Sequence, residues 1–278
     1  MFFIKGVERM TDYSKLLSCE LFLFDMDGTL YIGTDVFDGA RELIKSLPGY
    51  GKRYGYLTNN SCRGGGDYIK RQLSLGFPCE KEDMFTSSMA TALFLNENYK
   101  GQKVYLVGTT SLRNELIEYG IDITDGDDAD IVLVGFDMEL VYDKLRRAVH
   151  FLHHGATFIA TNQDELCPIT EDEILPDCGS ICALLTSATK VEPIYVGKPN
   201  RRMVDIISRN TGIPNEKICC VGDRLDTDIA VAQNAGAVSV LLLSGETSPE
   251  QATRAERKPD YILNGINDLY IIMKNAFE

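Results

Sequence analysis

The sequence predicts an α/β protein in which one parallel-sheet domain is interrupted by a second α/β domain. Apolar runs of four or five residues, typical of strands buried on both faces of a parallel sheet, alternate with amphipathic helices. Small polar clusters follow several of these runs directly, at the edge where open parallel sheets bind their ligands. The alternation starts afresh near Phe85, and the first pattern returns near Ile194, which indicates an insertion.

The length and the charge limit the classes of function. A chain of 278 residues suits one large domain or two smaller ones. With 28 basic and 41 acidic residues the net charge is −13, which argues against a nucleic-acid or anionic-membrane partner. No apolar run approaches the ~20 residues of a membrane span. A site for an anionic substrate must therefore supply local positive charge, from a metal or a lysine.

The cysteines and the opening residues predict a cytoplasmic protein. No Cys-x-x-Cys pair is present, and Cys219 and Cys220 lie in an apolar strand, so we expect buried thiols in a reducing compartment. Cys178 and Cys182 have helical spacing but lack a second ligand pair, which disfavours zinc. The segment 1–5 is too short for a signal peptide, and no cleavage-like sequence follows it.

The first strand, predicted at 21–24, ends in two carboxylates. Asp25 and Asp27 follow it, and burial of an unpaired carboxylate is costly, so we expect a compensating group such as a cation. Gly28 allows the backbone to turn sharply there. The alternative is an Asp-rich turn with no function, which is common after strands in α/β proteins.

The second strand repeats this arrangement. A helix over about 39–47 leads to a strand at 54–57, which ends in a polar cluster of Thr58, Asn59 and Asn60. In parallel sheets the carboxyl ends of neighbouring strands meet at one edge, where ligands bind. We therefore expect the polar clusters of the first two strands to lie close together.

A glycine triplet, Gly64-Gly65-Gly66, follows the second strand. It precedes a predicted helix over 67–75, with Asp67 as the N-cap. Glycines before a helix can hold a phosphate, but no Gly-Lys-Ser/Thr follows here. We therefore expect a flexible connection rather than a phosphate-binding loop.

The inserted block has its own alternation of strands and helices. The pattern predicts strands at 104–108, 131–135 and 157–161, with helices over 111–119 and 141–153. The acidic segment 124–130 is predicted to be a solvated loop. Histidines 150, 153 and 154 end the second helix, where they complement the helix dipole rather than bind a metal.

The final part of the chain returns to the first pattern. Strands are predicted at 194–196, 218–221, 238–243 and 261–263. Lys198 follows the first of these, and Asp223 and Asp228 follow the second. Each of these residues has an ordinary alternative, because Lys198 suits a protein surface and Asp223 suits a helix cap.

Taken together, these strand ends resemble the four motifs of the haloacid dehalogenase superfamily. The first motif is Asp25-Met26-Asp27-Gly28-Thr29, and the others contain Thr58, Lys198 and Asp223. The chain is most similar to the branch of nitrophenyl phosphatases and phosphoglycolate phosphatases, which insert a large α/β cap between the second and third motifs. The resemblance implies a Rossmann-like catalytic core of 1–83 and 184–278 and a cap of 84–183.

The resemblance also implies a chemistry, that of a magnesium-dependent phosphatase acting on a small phosphorylated metabolite. Asp25 is then the nucleophile that forms an aspartyl-phosphate, and Asp27 is the general acid and base. Lys198 is the third catalytic residue and links the nucleophile to the phosphate. The family pattern assigns Mg²⁺ to the Asp25 carboxylate, the Asp27 backbone carbonyl and Asp223, with Asp228 in the metal site holding a metal-bound water. It assigns the phosphoryl oxygens to Thr58 and the backbone amide of Asn59, and places Gly28 and Asn60 in the same substrate site.

The cap carries specificity in this branch. Asn162 and Asp164, in the loop 161–164, resemble part of its cap signature and are predicted to face the leaving group, as is the turn 177–180. The branch usually shows Pro-Gly-Ala-Gly-Ser, whereas this chain has Pro176-Asp177-Cys178-Gly179-Ser180. The resemblance further implies a cap that closes over the core, and it allows a homodimer through the cap.

Two other classes of function remain open. A phosphotransferase or phosphomutase shares the aspartyl-phosphate, although such mutases generally carry a small helical cap. A non-catalytic metabolite-binding protein would use the same fold. The presence of Asp27 favours a phosphatase, since dehalogenases lack a carboxylate at that position and transport ATPases usually have threonine.

Overall fold

The computed structural model describes residues 11–168 and 173–278. The opening segment, to which the signal-peptide prediction applies, lies outside them. The strands are β1 (Leu21–Phe24), β2 (Tyr31–Ile32), β3 (Asp35–Val36), β4 (Arg53–Thr58), β5 (Met84–Thr86), β6 (Val104–Val107), β7 (Ile131–Val134), β8 (Thr157–Ala160), β9 (Leu166–Pro168), β10 (Ile174–Pro176), β11 (Ile194–Tyr195), β12 (Ile218–Gly222), β13 (Val238–Leu242) and β14 (Tyr261–Leu263). The helices are α1 (Ser14–Leu17), α2 (Ala40–Ser46), α3 (Gly65–Ser74), α4 (Ser87–Asn98), α5 (Thr110–Glu118), α6 (Tyr142–His153), α7 (Cys178–Thr189), α8 (Arg202–Thr211), α9 (Ala230–Ala235), α10 (Pro249–Arg254) and α11 (Ile266–Phe277).

The larger sheet, here called the core sheet, has six parallel strands in the order β14-β13-β12-β1-β4-β5. Its central strands are apolar and buried throughout, as expected for a parallel sheet covered on both faces. Phe24 pairs with Val221 of β12 on one side and with Tyr56 of β4 on the other. The carboxyl ends of these three strands are therefore level, which brings their polar clusters to one edge. The predicted α/β fold class is confirmed.

Both faces of the core sheet are covered by helices. Because side chains alternate along a strand, Phe22 and Phe24 point to one face and pack with residues of α2 and α11. Leu21 and Leu23 point to the other face and pack with residues of α4, α8 and α9. Each fully buried side chain of this size contributes about 1.5–3 kcal/mol to folding. This packing holds β1 rigidly beneath the residues that follow it.

The smaller sheet, here called the cap sheet, has four parallel strands in the order β11-β8-β7-β6. One face packs against α6 and α7. The other packs against α4 and α5. Two antiparallel hairpins accompany the sheets, β2–β3 just after the Asp25 motif and β9–β10 just before α7.

The two sheets divide the chain at points that differ from the predicted boundaries of 84 and 183. Met84–Thr86 belongs to the core sheet, and Ile194–Tyr195 belongs to the cap sheet. The prediction that the strand near Ile194 restarts the core pattern is therefore wrong. Strands of two or three residues are too short to show a periodicity of their own, so their sheet cannot be inferred from sequence.

Helix α4 lies between the two sheets. Its buried residues include Met89, Ala90 and Leu95, and they belong to one hydrophobic cluster that also contains Leu57 of β4 and Leu106 of β6. The core and the inserted part are thus joined by continuous apolar packing. Movement of the cap as a separate unit remains a prediction.

Helix α3 begins at Gly65, earlier than predicted, and Asp67 lies in its first turn rather than at its N-cap. The glycines therefore form the start of a helix and not a flexible connection. The amide of Gly64 donates to Ser111 Oγ of α5 at 2.8 Å, and the Glu115 carboxylate of the same helix faces the amide of Gly65. These contacts satisfy amides at the helix start that would otherwise lack partners.

The predicted burial of the thiols is confirmed at seven positions, which are Cys19, Cys62, Cys79, Cys178, Cys182, Cys219 and Cys220. Among the described residues, no helix is both long enough and apolar enough to cross a membrane.

Candidate active site

Three of the predicted carboxylates converge at the carboxyl edge of the core sheet. Oxygen atoms of Asp25, Asp223 and Asp228 all lie within 4.8 Å of one another. Asp25 follows β1 and Asp223 follows β12, and these strands are adjacent and in level register, which explains the proximity. The arrangement suits a hard divalent cation, because such ions prefer carboxylate oxygens.

Lys198 joins two of these carboxylates. Its Nζ donates to Asp25 Oδ1 and to Asp228 Oδ1, both at 2.6 Å. The side chains of Lys198 and Asp228 are 4% and 3% exposed, whereas that of Asp25 is 19% exposed. Asp25 is therefore the carboxylate of this pair that solvent reaches. The positive charge of the lysine balances one of the three carboxylates when all are ionised. The two negative charges that remain match in number the two positive charges of a divalent cation.

The electrostatic state of this group follows from its burial. Burial raises the pKa of Asp25 well above its usual value, and Lys198 opposes this while Asp228 adds to it. Burial and the Asp228 charge raise the pKa of Asp223 to about 6. Burial alone would lower the pKa of Lys198, but Asp228 and Asp25 raise it above its usual value. Three carboxylates crowded around one protonated lysine leave an excess of negative charge, and this excess favours binding of an added cation.

Asp223 is held in place by its neighbours. Thr29 Oγ1 donates to Asp223 Oδ1 at 3.1 Å, and the amide of Glu246 donates to Asp223 Oδ2 at 2.8 Å. Gly28 has a φ of +82°, and a Cβ there would lie 2.5 Å from Asp223 Oδ2. A Cβ on Gly245 would lie 2.0 Å from the same atom. Both glycines are needed for this close approach of backbone to carboxylate.

Asp228 lies in a short π-helical turn, Leu225–Ile229, that follows β12. Its Oδ2 accepts from the amide of Arg224 at 3.1 Å, and its Oδ1 accepts from Lys198. Both carboxylate oxygens therefore have donors despite burial. Such turns are rare and frequently occur at functional sites.

The Asp27 carboxylate does not join this cluster. Its side chain is 67% exposed, and its Oδ1 accepts from Arg71 Nη2 of α3 at 3.2 Å. The Asp27 side chain thus lies at the mouth of the site, next to the buried cluster. That position suits a proton-transfer role better than ligation of a cation by the carboxylate.

The polar cluster after β4 is engaged in hydrogen bonds. Thr58 Oγ1 accepts from the amide of Asn60, and Asn60 Oδ1 accepts from the amide of Cys62. The Asn59 side chain spans the backbone of Lys198, with Oδ1 accepting from its amide at 2.8 Å and Nδ2 donating to its carbonyl at 2.9 Å. Asn59 therefore positions Lys198. The predicted substrate contacts of Thr58, of the Asn59 amide and of Asn60 remain predictions.

The two predicted cap residues contact Asn59 as well. Asn162 Nδ2 donates to the Asn59 carbonyl at 2.5 Å, and Asn162 Oδ1 accepts from the amide of Asp164. Asp164 Oδ2 accepts from Asn59 Nδ2 at 3.0 Å, and burial raises the pKa of Asp164. The structure thus brings Asn162 and Asp164 to the edge of the site, where they tie the cap to the core. Contact with a leaving group remains a prediction for both.

Asp177, at the departure from the usual cap signature, is the N-cap of α7. Its Oδ1 accepts from the amide of Cys178 at 2.5 Å, and the residue is 3% exposed. Burial raises the pKa of Asp177 to about 7. A capping carboxylate that is ionised only with difficulty is an unusual choice for this position.

We expect Asp177→Asn to increase the free energy of unfolding at pH 8 by about 1–4 kcal/mol and to change it little below pH 4. The folded-state pKa lies above the unfolded value near 3.9, so the folded protein loses stability as pH rises from about 4 through 7. Asparagine keeps the cap without the charge. Urea unfolding of both proteins across this pH range measures the effect.

The matched control is Asp67→Asn, which removes an exposed carboxylate from the first turn of α3. Its unfolding free energy at pH 8 should stay within about 0.5 kcal/mol of the wild-type value, because surface substitutions have small effects. An effect of Asp177→Asn that does not change with pH would contradict the assigned pKa of Asp177.

Sequence reasoning missed several residues that shape the site. Thr29 stands in the first motif with no role predicted for it, and no sequence pattern marks the amide of Glu246. Arg71 lies on α3, for which the sequence predicts a helix and no site residue. The side chain of Asn59 supports Lys198 through backbone atoms far along the chain, a contact that leaves no local pattern.

Comparisons with known proteins place this chain in a family. A model of the haloacid dehalogenase-like hydrolases matches residues 22–122, and a second model of hydrolases of this type matches 195–269. The 5′-nucleotidase YutF of Bacillus subtilis is 34% identical over 247 residues, which cover 89% of this chain and 96% of that protein. The chain belongs to the haloacid dehalogenase-like hydrolases.

Other relatives of this haloacid dehalogenase-like hydrolase agree with its predicted phosphatase branch. The chloroplastic phosphoglycolate phosphatase 1A of Arabidopsis thaliana is 34% identical, over 90% of this chain and 76% of that protein. The crystal structure of a 4-nitrophenylphosphatase from Thermotoga maritima superimposes with a TM-score of 0.88 at 37% identity, covering 92% of this chain and 98% of that chain. The prediction of a hydrolase acting on phosphoric monoester bonds is confirmed.

Proposed function

We propose that the protein is a magnesium-dependent phosphatase that hydrolyses small phosphomonoesters through an aspartyl-phosphate on Asp25. The proposal rests chiefly on the buried Lys198, whose ammonium group contacts both Asp25 and Asp228. The partly exposed Asp25 carboxylate therefore lies among Lys198, Asp223 and Asp228. A phosphate ester repels a carboxylate nucleophile unless positive charge is supplied at the same place. This site supplies a lysine, and its remaining negative charge can be neutralised by a divalent cation.

The residues present fit Mg²⁺. Asp25, Asp223 and Asp228 offer hard oxygen ligands within 4.8 Å of one another, and the backbone carbonyl of Asp27 would add a fourth. When bound, the ion would neutralise the charge of the phosphoryl oxygens. Thr58, the amide of Asn59 and the Lys198 ammonium are proposed to bind those same oxygens.

The protein's own groups then carry out two displacements. A carboxylate oxygen of Asp25 forms a bond to phosphorus, the bond between phosphorus and the ester oxygen breaks, and Asp27 donates its proton to that oxygen. Asp27, now ionised, takes a proton from water. The water oxygen bonds to phosphorus, and the bond to Asp25 breaks, which releases inorganic phosphate and restores the enzyme.

The substrate is proposed to be a small phosphorylated metabolite whose leaving group meets the cap. Relatives of similar identity carry the names of a 5′-nucleotidase and a phosphoglycolate phosphatase. Proteins of similar sequence are thus named for substrates with different leaving groups, which indicates that residues outside the core motifs determine substrate specificity. In this chain two carboxylates of the cap, the half-buried Asp164 and the buried Asp177, are the candidates.

We expect release of nitrophenol from 4-nitrophenyl phosphate to require Mg²⁺ and to be inhibited by Ca²⁺. Calcium accepts more ligands and bidentate carboxylates, so both Asp25 oxygens would be bound, including the one needed for attack. Initial rates in Mg²⁺, in excess chelator and in mixtures of the two ions measure this. Restoring Mg²⁺ after chelation is the control, and full turnover by metal-free protein in excess chelator would refute the proposal.

A further inference from the structure

We infer that Arg71 is a positioning residue that orients the Asp27 carboxylate for proton transfer to the leaving group. The inference rests on the proposed function, because it assigns a partner to the general acid of that mechanism. Arg71 lies on α3, outside the four sequence motifs, and within the described residues no hydrogen bond or ion pair joins it to the three clustered carboxylates. In that part of the chain, its hydrogen bond to the site is the one to Asp27.

The guanidinium of Arg71 has contacts on several sides. Its Nη2 donates to Asp27 Oδ1 at 3.2 Å and to the Gly33 carbonyl at 3.1 Å. Its plane lies over the ring of Tyr31, with the central carbon 5.1 Å from the ring centroid. Because the Gly33 carbonyl and the Tyr31 ring fix the planar guanidinium, Nη2 points its second hydrogen towards Asp27 in a defined direction.

The elements that carry these contacts are themselves fixed. The Tyr31 hydroxyl accepts from Gln72 Nε2 at 2.8 Å, and both residues are buried. Gln72 is the neighbour of Arg71 on α3, so the helix and the β2–β3 hairpin are locked together beside the ion pair. At its other end α3 is held to the cap by the bond from Gly64 to Ser111.

Among the residues that the structure describes, Asp27 has no side-chain hydrogen bond besides the one from Arg71, so its carboxylate needs this partner to stay in place. Its side chain is mostly exposed, and it precedes the left-handed turn at Gly28. A free aspartate there would sample several rotamers. The pair with Arg71 occupies Oδ1 and leaves Oδ2 available for the leaving oxygen. Exposed ion pairs add little to stability, so orientation is the larger consequence of this one.

The test compares two esters of similar size. Nitrophenolate leaves 4-nitrophenyl phosphate without needing a proton, whereas the oxygen of benzyl phosphate must be protonated as it leaves. kcat/KM covers the steps up to departure of this group. We expect Arg71→Met to lower kcat/KM for benzyl phosphate about 100-fold, the typical worth of general acid catalysis, and that for 4-nitrophenyl phosphate less than about fivefold.

Three further variants make the result specific. Arg71→Lys should recover part of the benzyl phosphate activity, because it keeps the charge but loses the planar group that stacks on Tyr31 and donates to the Gly33 carbonyl. In an Asp27→Asn background, Arg71→Met should cause no further loss, since both act through one carboxylate. The control is Arg113→Met, which removes an arginine of matched exposure, 32% against 31%, that pairs with Asp125 in the cap. It should leave both activities unchanged.

Equal losses on the two esters, or an additional loss in the Asp27→Asn background, would overturn the inference. So would full benzyl phosphate activity in Arg71→Met. A wild-type enzyme that hydrolyses neither ester would overturn the proposed function itself, and the inference with it. Thermal unfolding shows whether Arg71→Met folds, and if it does not, the ratio of the two activities in Arg71→Lys decides in its place.

Discussion

Asp25→Asn is expected to abolish turnover while the protein stays folded. An amide is a poor nucleophile toward phosphorus and a weak ligand for a hard cation, so kcat should fall by more than about 10⁴-fold. The fold should tolerate the change, because removing one of three crowded carboxylates relieves repulsion. Rates with 4-nitrophenyl phosphate, measured beside circular dichroism and a urea unfolding curve, separate loss of chemistry from loss of structure.

The matched control for this variant is Asp226→Asn. Asp226 lies in the same π-helical turn as Asp228, but its side chain is 72% exposed and pairs with Arg224. The same chemical change there should leave kcat within about threefold of wild type, since surface substitutions away from a site have small effects. A folded Asp25→Asn protein with near wild-type rates would disprove the nucleophile assignment.

Lys198→Met is expected to lose both activity and stability. The variant leaves the carboxylates of Asp25 and Asp228 close together without the ammonium group that pairs with both. Removal of one partner from a buried ion pair lowers the free energy of unfolding by about 3–5 kcal/mol. Burial raises the pKa of Asp25, and protonation of that carboxylate relieves part of this cost, so the loss of stability should be smaller at pH 5 than at pH 8. We expect kcat to fall at least about 10³-fold.

Unfolding curves with and without Mg²⁺ test this variant further, because an added cation should recover part of the lost stability. Lys144→Met is the control. Lys144 pairs at 2.8 Å with Asp137, whose side chain is fully buried in the cap, so the variant should lose stability without losing the chemistry. Near wild-type turnover in Lys198→Met would show that the bridge is only structural.

The core of the site was predictable because its residues stand at the ends of strands. Lys198 lies 173 residues after Asp25, yet the two are hydrogen-bonded. An apolar run followed at once by Asp25 or by Gly222-Asp223 is a local signal, and parallel pairing places all such ends at one edge. Residues that follow short apolar runs can therefore be predicted to cluster in space, even when their contacts are not known.

The supporting residues were not predictable, because they do not stand at strand ends. Arg71 and the side chain of Asn59 act across the chain, from a helix surface and from within a motif, and no periodicity marks such contacts. The sheet of Ile194–Tyr195 was also misjudged, since two residues carry too little pattern to choose between neighbouring sheets. Local hydrophobicity specifies elements, whereas their partners depend on the finished packing.

The place of α4 between the two sheets has a consequence for recombination among relatives. A chimaera that exchanges the predicted segment 84–183 would import β5 and α4 from another protein and leave Leu57 and Met203 facing foreign side chains. Exchange of a segment that begins after α4 and ends after β11 would keep the native apolar seam with the core sheet. The transferable module in this fold is therefore the cap sheet with α5, α6 and α7, and α4 belongs to the recipient.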